Sequence, residues 1–160
     1  MVSVTYMPAN CQFATGVHLL ALLAQSPDAF RTSREIAEST LTHPVVVRRL
    51  MANLQDAGMV ETQKGPGGGV RLARLPRQIT LAEVYAAVET SEPLHLPHTS
   101  PNKKCPIGYA MERVLEEIFA RAEAALTGEL ARTTLSDVLD SALARHRTPS
   151  TVHDSSSTKS

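Results

Sequence analysis

Two adjacent arginines and a run of glycines are the residues of this chain whose types and spacing suit contact with phosphate groups. Arg48 and Arg49 lie side by side in HPVVVRRLMANLQD, and KGPGGGVR extends from Lys64 to Arg71. A guanidinium group can form two hydrogen bonds with a guanine edge or grip a phosphate. Glycines carry no side chain, so their backbone can approach a sugar-phosphate chain closely. Together these residues predict contact with a polyanion.

The glycine-rich stretch matches a hairpin tip better than a nucleotide-binding loop. A nucleotide-binding P-loop requires glycine, lysine and a hydroxyl residue that lead directly into a helix, because the lysine and the hydroxyl contact phosphate and magnesium. Here Gly69 leads into the alternating segment VRLAR, and no lysine follows. The segment before the glycines, MVETQK, also alternates. This pattern predicts two short antiparallel strands around a glycine tip.

The arginine pair falls on the outward face of a predicted helix. Pro44 suits the first turn of this helix, and Gly58 suits the position just past its end. At about 100° per residue, the residues predicted to face the core are Val47, Leu50, Met51 and Leu54. The residues predicted to project away from it are Val45, Arg48, Arg49 and Ala52. This outward face suits the major groove of DNA. The alternative is that the arginine pair lies on a face that contacts only solvent.

The starts of two helices complete the predicted contact surface. The segment TSREIAES begins with hydroxyl residues where the helix dipole and free N–H groups favour a phosphate, and Thr32 and Glu35 have capping-box spacing. His43 either contacts a phosphate or only begins the third helix. The predicted DNA-contacting residues are Thr32, Ser33, Arg34, His43, Pro44, Val45, Arg48, Arg49, Lys64, Gly65, Gly67, Gly68 and Arg71.

The order of elements predicts a mainly α fold, a winged helix-turn-helix with a two-stranded wing and a long C-terminal dimerisation helix. FATGVHLLALLAQ predicts a first helix, and ITLAEVYAAVE predicts a fourth helix after the hairpin. Three helices, a hairpin and a helix form a known DNA-binding arrangement. The apolar residues of the long helix recur every three or four positions, at Met111, Val114, Leu115, Ile118, Ala122, Ala125 and Leu126. We expect this helix to pack against its symmetry mate in a homodimer.

The predicted domain boundaries follow from these elements. Residues 1–90 form the DNA-binding domain, 91–107 a sensor loop, 108–147 the dimerisation helix with a final helical segment, and 148–160 a disordered polar tail. The net charge of zero hides an asymmetry. Residues 31–77 carry eight Lys or Arg against four Asp or Glu, and residues 83–146 carry six against ten. A basic first half suits a polyanionic partner.

Composition also limits the cellular context and the class of protein. No segment approaches the roughly 18 apolar residues of a membrane span, and the start has no secretory-signal pattern. Two cysteines, Cys11 and Cys105, make no disulfide framework, so we expect the reducing cytoplasm. The chain has no nucleophile elbow and no paired-histidine metal motif, so we expect no enzyme. A winged protein-interaction module without DNA binding is the alternative class.

The stretch LQDAGMVETQKGPGGGVRLARLPRQITLAEVYAAVE resembles the Rrf-two (Rrf2) family of bacterial winged-helix transcription regulators. The resemblance extends over roughly residues 12 to 140, through FATGVHLLALLA upstream and KCPIGYAMERVLEEIFARAEAALTGELARTTLSDVL downstream. It implies a homodimer joined through the long helix. It also implies two winged heads on a palindromic operator in double-stranded DNA, usually in the role of a repressor.

The loop before the long helix departs from one branch of that family. Several members hold an iron–sulfur cluster with three cysteines there, whereas this chain has only Cys105 between Glu89 and Gly108. A cluster normally takes about four ligands, mostly thiolates. His95 and His98 could contribute, or a dimer could pool two copies of Cys105. The form CPIG resembles the cluster-free branch, so we expect no cofactor and no metal.

Cys105 is nevertheless the predicted sensor residue. It follows Lys103 and Lys104 and precedes the long helix, and both features favour a reactive thiolate. The alternative is that Cys105 is a small apolar residue that seats the loop. Cys11 is expected to precede the first helix, and His18 to lie on or near its apolar face.

Overall fold

The computed structural model describes residues 9–89, 94–96 and 105–147, and its helices surround the base of one antiparallel hairpin. The elements are α1 (Ala9–Ala24), α2 (Ser33–Thr40), α3 (Pro44–Asp56), β1 (Val60–Gln63), β2 (Gly69–Leu72), a 3-10 turn (Pro76–Gln78), α4 (Leu81–Val88), α5 (Pro106–Ala131) and α6 (Leu135–Arg147). The predicted fold class, mainly helical with a two-stranded wing, is confirmed.

The core lies between α1, α2, α3, α4 and the base of the hairpin. Its fully buried side chains include Leu19, Leu20, Leu23, Ile36, Val47, Leu50, Leu54, Met59, Val70, Ile79 and Val84. Burying an aliphatic side chain of this size stabilises a fold by about 1.5–3 kcal/mol. The predicted core face of α3 is confirmed, with Met51 half-buried against the same cluster.

Threonine caps begin three of the helices. Thr32 and Thr80 form the two predicted capping boxes, each with the glutamate three residues later. Thr134 makes an equivalent pair with Asp137, which sequence inspection missed: the Thr134 N–H donates to Asp137 Oδ2 at 2.8 Å. These hydrogen bonds hold the pKa of the Asp137 carboxyl below its usual value, and their side-chain part from Thr134 is the largest cause. Caps of this kind supply partners for backbone N–H groups that the first turn of a helix leaves unsatisfied.

The turn from α2 to α3 contains a strained residue. Leu41 has a φ of 50°, in the left-handed region that side chains rarely adopt, and its side chain is 95% exposed. The N–H of Thr42 donates to the carbonyl oxygen of Ala37 at 3.0 Å, which closes the end of α2. This short turn sets the angle at which α3 leaves α2.

The hairpin is tied to the helical domain by a third piece of extended chain. β1 and β2 pair in the register Val60↔Leu72 to Gln63↔Gly69. On the other edge of β2, Arg31 and Val70 exchange two backbone hydrogen bonds of 2.9 Å each. The wing therefore does not project freely, because the segment before α2 anchors it.

The C-terminal helices pack on the winged domain. α5 packs against α4, with Leu115 and Phe119 half-buried. The N–H of Leu135 donates to Ile79 at 2.9 Å, and the Leu135 side chain is fully buried in the common core. Residues 108–147 thus include a segment of the winged domain's own core. The sequence could not show this, because one apolar residue after a turn does not reveal which neighbour will cover it.

Two expectations about α1 are wrong, and two predicted regions lie largely outside the described residues. The helix begins at Ala9, so Cys11 lies within it rather than before it. His18 is exposed, because Leu19, Leu20 and Leu23 take the core side of the helix. Of the sensor loop, only residues 94–96 and 105–107 are described, and the tail 148–160 lies outside them.

Candidate nucleic-acid interface

The outward side of α3 carries the exposed residues that were predicted to face DNA. We call Val45, Arg48, Arg49 and Ala52 the reader face; all four are exposed, Val45 to 55%. The opposite side of the helix is held by Val47, Leu50 and Leu54, which are fully buried. Residues three or four apart in a helix share a side, so Val45, Arg48 and Arg49 form one surface on a rigid base. The predicted division of α3 into two faces is confirmed.

His43 is the N-cap of α3. Its Nδ1 accepts a hydrogen bond from the Val45 N–H at 3.2 Å, and the ring is exposed. A neutral imidazole that accepts at Nδ1 carries its proton on Nε2. His43 therefore begins the third helix, as one of the two alternatives for this residue states. Its Nε2–H remains a donor that could contact a phosphate. Pro44 follows as the first helical residue and is half-buried.

The start of α2 differs from the predicted phosphate site. The Thr32 N–H donates to Glu35 Oε2 at 2.6 Å, and the Thr32 hydroxyl donates to the same oxygen at 2.9 Å. These bonds, the backbone bond first, hold the pKa of the Glu35 carboxyl below its usual value. The protein's own carboxylate thus engages two of the predicted donors, the N–H and the hydroxyl of Thr32. Arg34 remains exposed, and Ser33 is half-buried.

The wing tip contains two kinds of glycine. Gly65 has a φ of 93° and Gly67 a φ of 74°, and a Cβ on either would meet no atom within 4 Å. The Gly68 N–H donates to Gly65 at 3.0 Å, with Pro66 and Gly67 at the centre of the turn, which is the pattern of a type II turn. The outer glycines and Lys64 are exposed and open to an approaching backbone.

The inner glycines serve the fold itself. A Cβ on Gly68 would collide with the carbonyl oxygen of Gln63 and lie 2.9 Å from that of Gly65. A Cβ on Gly69 would collide with the carbonyl oxygen of Arg31. Part of the glycine run is therefore explained by close packing of backbone segments, and closeness to DNA is not needed to account for it.

Arg71 is engaged within the protein. Its side chain forms an ion pair with Glu61 on the facing strand, and its guanidinium carbon lies 4.7 Å from the centre of the Phe30 ring. The positive charge predicted for DNA contact is thus largely balanced by a neighbour. The hairpin register places Glu61 opposite Arg71, so a cross-strand pairing drawn from the sequence could have revealed it.

Sequence inspection also missed the contacts that fix the wing beside α3. Arg31 donates from Nη2 to Ser26 at 3.3 Å and holds β2 through its backbone. The Thr62 hydroxyl of β1 donates to Gln55 Oε1 of α3 at 3.1 Å. These contacts join the hairpin to the elements that flank the reader face. No local sequence pattern predicts these contacts, because each joins residues whose pairing depends on how the elements fold together.

Cys105 lies at the entry to α5. It is exposed, and its Sγ accepts a hydrogen bond from the Gly108 N–H at 3.4 Å, so the thiol caps the helix. Within the described ranges, no three His, Cys, Asp or Glu side chains come together as a metal site. His95 is exposed, whereas His98, Lys103 and Lys104 fall outside those ranges. The loop supplies one thiol per chain, whereas an iron–sulfur cluster normally takes about four ligands.

A helix-turn-helix with one side packed in the core, an exposed basic helix face and an anchored wing are the features of a winged-helix DNA-binding protein. A family model described as that of iron-dependent transcriptional regulators, Rrf2, matches residues 9–141. The chain belongs to the Rrf2 family. Among the described helices, none has the length and apolarity to span a membrane.

Individual proteins that are similar to this chain support the same family assignment. YwnA of Bacillus subtilis, named as an HTH-type transcriptional regulator, is 38% identical over 131 residues, which cover 82% of this chain and 96% of YwnA. IscR of Cereibacter sphaeroides, also an HTH-type transcriptional regulator, is 28% identical over 121 residues, 75% of this chain and 77% of IscR. A crystal structure assigned as a DNA-binding protein superposes with a TM-score of 0.65 at 33% identity, over 80% of this chain and 98% of that one. The chain is a DNA-binding transcription regulator and not an enzyme.

Proposed function

We propose that this protein is a homodimeric repressor that binds a palindromic operator and releases it in response to a redox or small-molecule signal. In this proposal α3 enters the major groove, the wing tip follows the adjacent backbone, and α5 joins the two protomers. The protein acts in the cytoplasm, where it meets DNA and has no membrane partner. The alternative of a winged module that binds only proteins is disfavoured by the regulators to which the chain is similar.

The observation that carries DNA recognition is the reader face of α3. Arg48 and Arg49 are exposed beside Val45 on a helix whose other side is fully buried. Neither arginine forms an ion pair with another described residue, in contrast to Arg71 and Arg74. Both charges are therefore available to phosphate or guanine, whereas Arg71 is already paired.

Replacing Arg48 by alanine is expected to weaken binding to the preferred operator by about 1–3 kcal/mol if the side chain bonds a guanine. If it grips a phosphate instead, binding to all duplexes weakens alike, and the slope of log affinity against log salt concentration becomes smaller by about one. Titration of labelled duplexes at several salt concentrations distinguishes the two results.

Arg113→Ala is the matched control for this measurement. Arg113 is an exposed arginine of α5, so its removal changes the net charge by the same amount outside the winged head. We expect Arg113→Ala to bind the operator as the native chain does. Unchanged affinity and unchanged salt slope in Arg48→Ala, Arg49→Ala and their double variant would show that the reader face does not contact DNA.

The proposed dimer rests on an exposed apolar stripe along α5. Ile107 is 70% exposed, Met111 45%, Val114 50% and Ile118 42%. At 100° per residue these four side chains lie within about 60° of one another, and Ala122 and Ala125 continue the same line. Leu115 and Phe119, which are half-buried, lie on a neighbouring line. A second copy of α5 would cover the exposed stripe, because closed homodimers are the commonest assemblies.

The proposed sensor is Cys105 at the N-terminus of α5. A peroxide would supply the signal: the thiolate attacks one peroxide oxygen, the O–O bond breaks, Cys105 becomes a sulfenic acid, and the hydroxide that leaves takes a proton from solvent to become water. Oxidation would alter the sulfur that now accepts from the Gly108 N–H. That change would act on the end of the helix that we propose to join the protomers. This function requires no iron–sulfur cluster, consistent with the single thiol of the loop.

Oxidation of the native protein by hydrogen peroxide is expected to lower operator affinity, and Cys105→Ser is expected to lose this response. Cys11→Ser is the control, because it removes the other cysteine of the chain and should respond as the native protein does. The measurement is operator titration before and after peroxide, with reversal by dithiothreitol. An equal loss of affinity in native protein and Cys105→Ser would show that Cys105 is not the sensor, and a native protein that does not respond to peroxide would leave a small-molecule ligand as the signal.

A further inference from the structure

Val45 is an exposed apolar side chain within a basic surface. It is the second residue of α3 and is 55% exposed, while Val46 is half-buried and Val47 fully buried. Val45 lies three and four residues before Arg48 and Arg49, so it shares their side of the helix. Because more than half of its surface meets solvent, this apolar group gains little from burial in the fold.

Helix stability does not explain valine at this position. A β-branched side chain loses rotamer freedom in a helix and is a weaker helix former than alanine or leucine. The Val45 N–H already has its partner in His43, so the cap does not depend on the side chain. The remaining explanation for an exposed valine at this position is contact with the DNA that we propose α3 to bind.

In the major groove, the C5-methyl of thymine is the apolar group that base edges present. The arginines beside Val45 complement the negative charge of DNA and hold this part of α3 against it. Val45 is also at the N-terminal turn, the part of a recognition helix that contacts base edges. Contact between its methyl groups and a thymine methyl would remove both from water.

We propose that Val45 is a specificity-determining residue that recognises a thymine methyl group in each operator half-site. This inference rests on the proposed binding of α3 in the major groove, and it names the chemistry that α3 adds to the arginine contacts. It predicts a preference for thymine over uracil at one position, since the two bases have the same hydrogen-bonding edge and differ only in that methyl group.

The test uses the duplex that the purified full-length chain selects from random-sequence DNA. Each thymine is replaced in turn by deoxyuridine, and affinity is measured for the native chain and for Val45→Ser. We expect deoxyuridine at one position per half-site to weaken native binding roughly fourfold, the factor that corresponds to about 0.8 kcal/mol for a buried methyl-sized group. Val45→Ser should bind the thymine and uracil duplexes equally. Val45→Ala, which favours the helix and keeps one methyl group, should retain only part of the thymine preference.

Leu75→Ser is the matched control, because Leu75 is a 48% exposed apolar residue outside α3; it should keep the thymine preference. The inference is overturned if the native chain tolerates deoxyuridine at every position, or if Val45→Ser keeps the native preference. In either case sequence-selective binding of the duplex would still support the proposed function. Failure to select any sequence would overturn the proposed function together with this inference.

Discussion

Replacing Val114 and Ile118 together by aspartate is expected to separate the protein into monomers and to lower operator affinity by about two orders of magnitude or more. The two side chains are 50% and 42% exposed in the protomer, and we propose that they lie at the centre of the dimer. Carboxylates placed there would face one another across the twofold axis without partners. A dimer binds two half-sites in one event, and loss of that linkage typically costs a factor of about 10²–10⁴.

The matched control places the same charges on α5 away from the apolar stripe. Ala120 and Ala124 are exposed and lie about 150° and 110° around α5 from the centre of the apolar stripe. Ala120→Asp with Ala124→Asp should remain dimeric and bind the operator. Sedimentation velocity reports the mass, and far-UV circular dichroism verifies that both variants fold. A native protein that sediments as a monomer at micromolar concentration, or a Val114/Ile118 variant that stays dimeric, would contradict this assignment of α5.

Gly69→Ala is expected to destabilise the fold by about 2–4 kcal/mol, in the range of severe packing defects. A Cβ at this position would collide with the carbonyl oxygen of Arg31 and lie 2.6 Å from its carbonyl carbon. Arg31 cannot move aside cheaply, because its N–H and carbonyl are both bonded to Val70 at 2.9 Å. The substitution would therefore separate the wing from the segment before α2. Urea unfolding measures the change in free energy.

Two other glycines calibrate this result. Gly67 has a φ of 74° and open space around it, so Gly67→Ala should cost only the strain of the left-handed conformation, about 1–2 kcal/mol. Gly128 lies in α5, and a Cβ added to it would meet no atom within 4 Å, so Gly128→Ala should stabilise the helix by about 0.5–1 kcal/mol. If Gly69→Ala costs no more than Gly67→Ala, the wing tolerates its separation from Arg31.

Periodicity and local hydrogen-bonding patterns predicted much of this structure. The capping boxes at Thr32 and Thr80 were correct because both partners lie within four residues of each other. The two faces of α3 were correct because its apolar spacing specifies which side must be buried. The hairpin was correct because strands that alternate around a glycine turn need no distant partner to be recognised.

The candidate site was predicted less completely than the fold. The sequence predicts that Arg71 contacts DNA. In the structure its guanidinium group forms an ion pair with Glu61 and lies over the Phe30 ring. The N-terminus of α2 was assigned to a phosphate, yet the carboxylate of Glu35 uses the Thr32 donors. Residue type and spacing indicate what a group can bind, but they do not show whether the protein already supplies that partner.

The amino-acid sequence alone specified the helices, the hairpin, the outward arginines and the family membership. All of these depend on short-range periodicity or on a continuous motif. Tertiary packing determined which charges remain available for DNA, which glycines are required by neighbouring backbone, and that Leu135 of α6 completes the core of the winged domain. These features join residues far apart in sequence. Their energies depend on distances that exist only once the chain has folded. The glycine run of the wing therefore consists of two glycines required by neighbouring backbone, Gly68 and Gly69, behind an open tip.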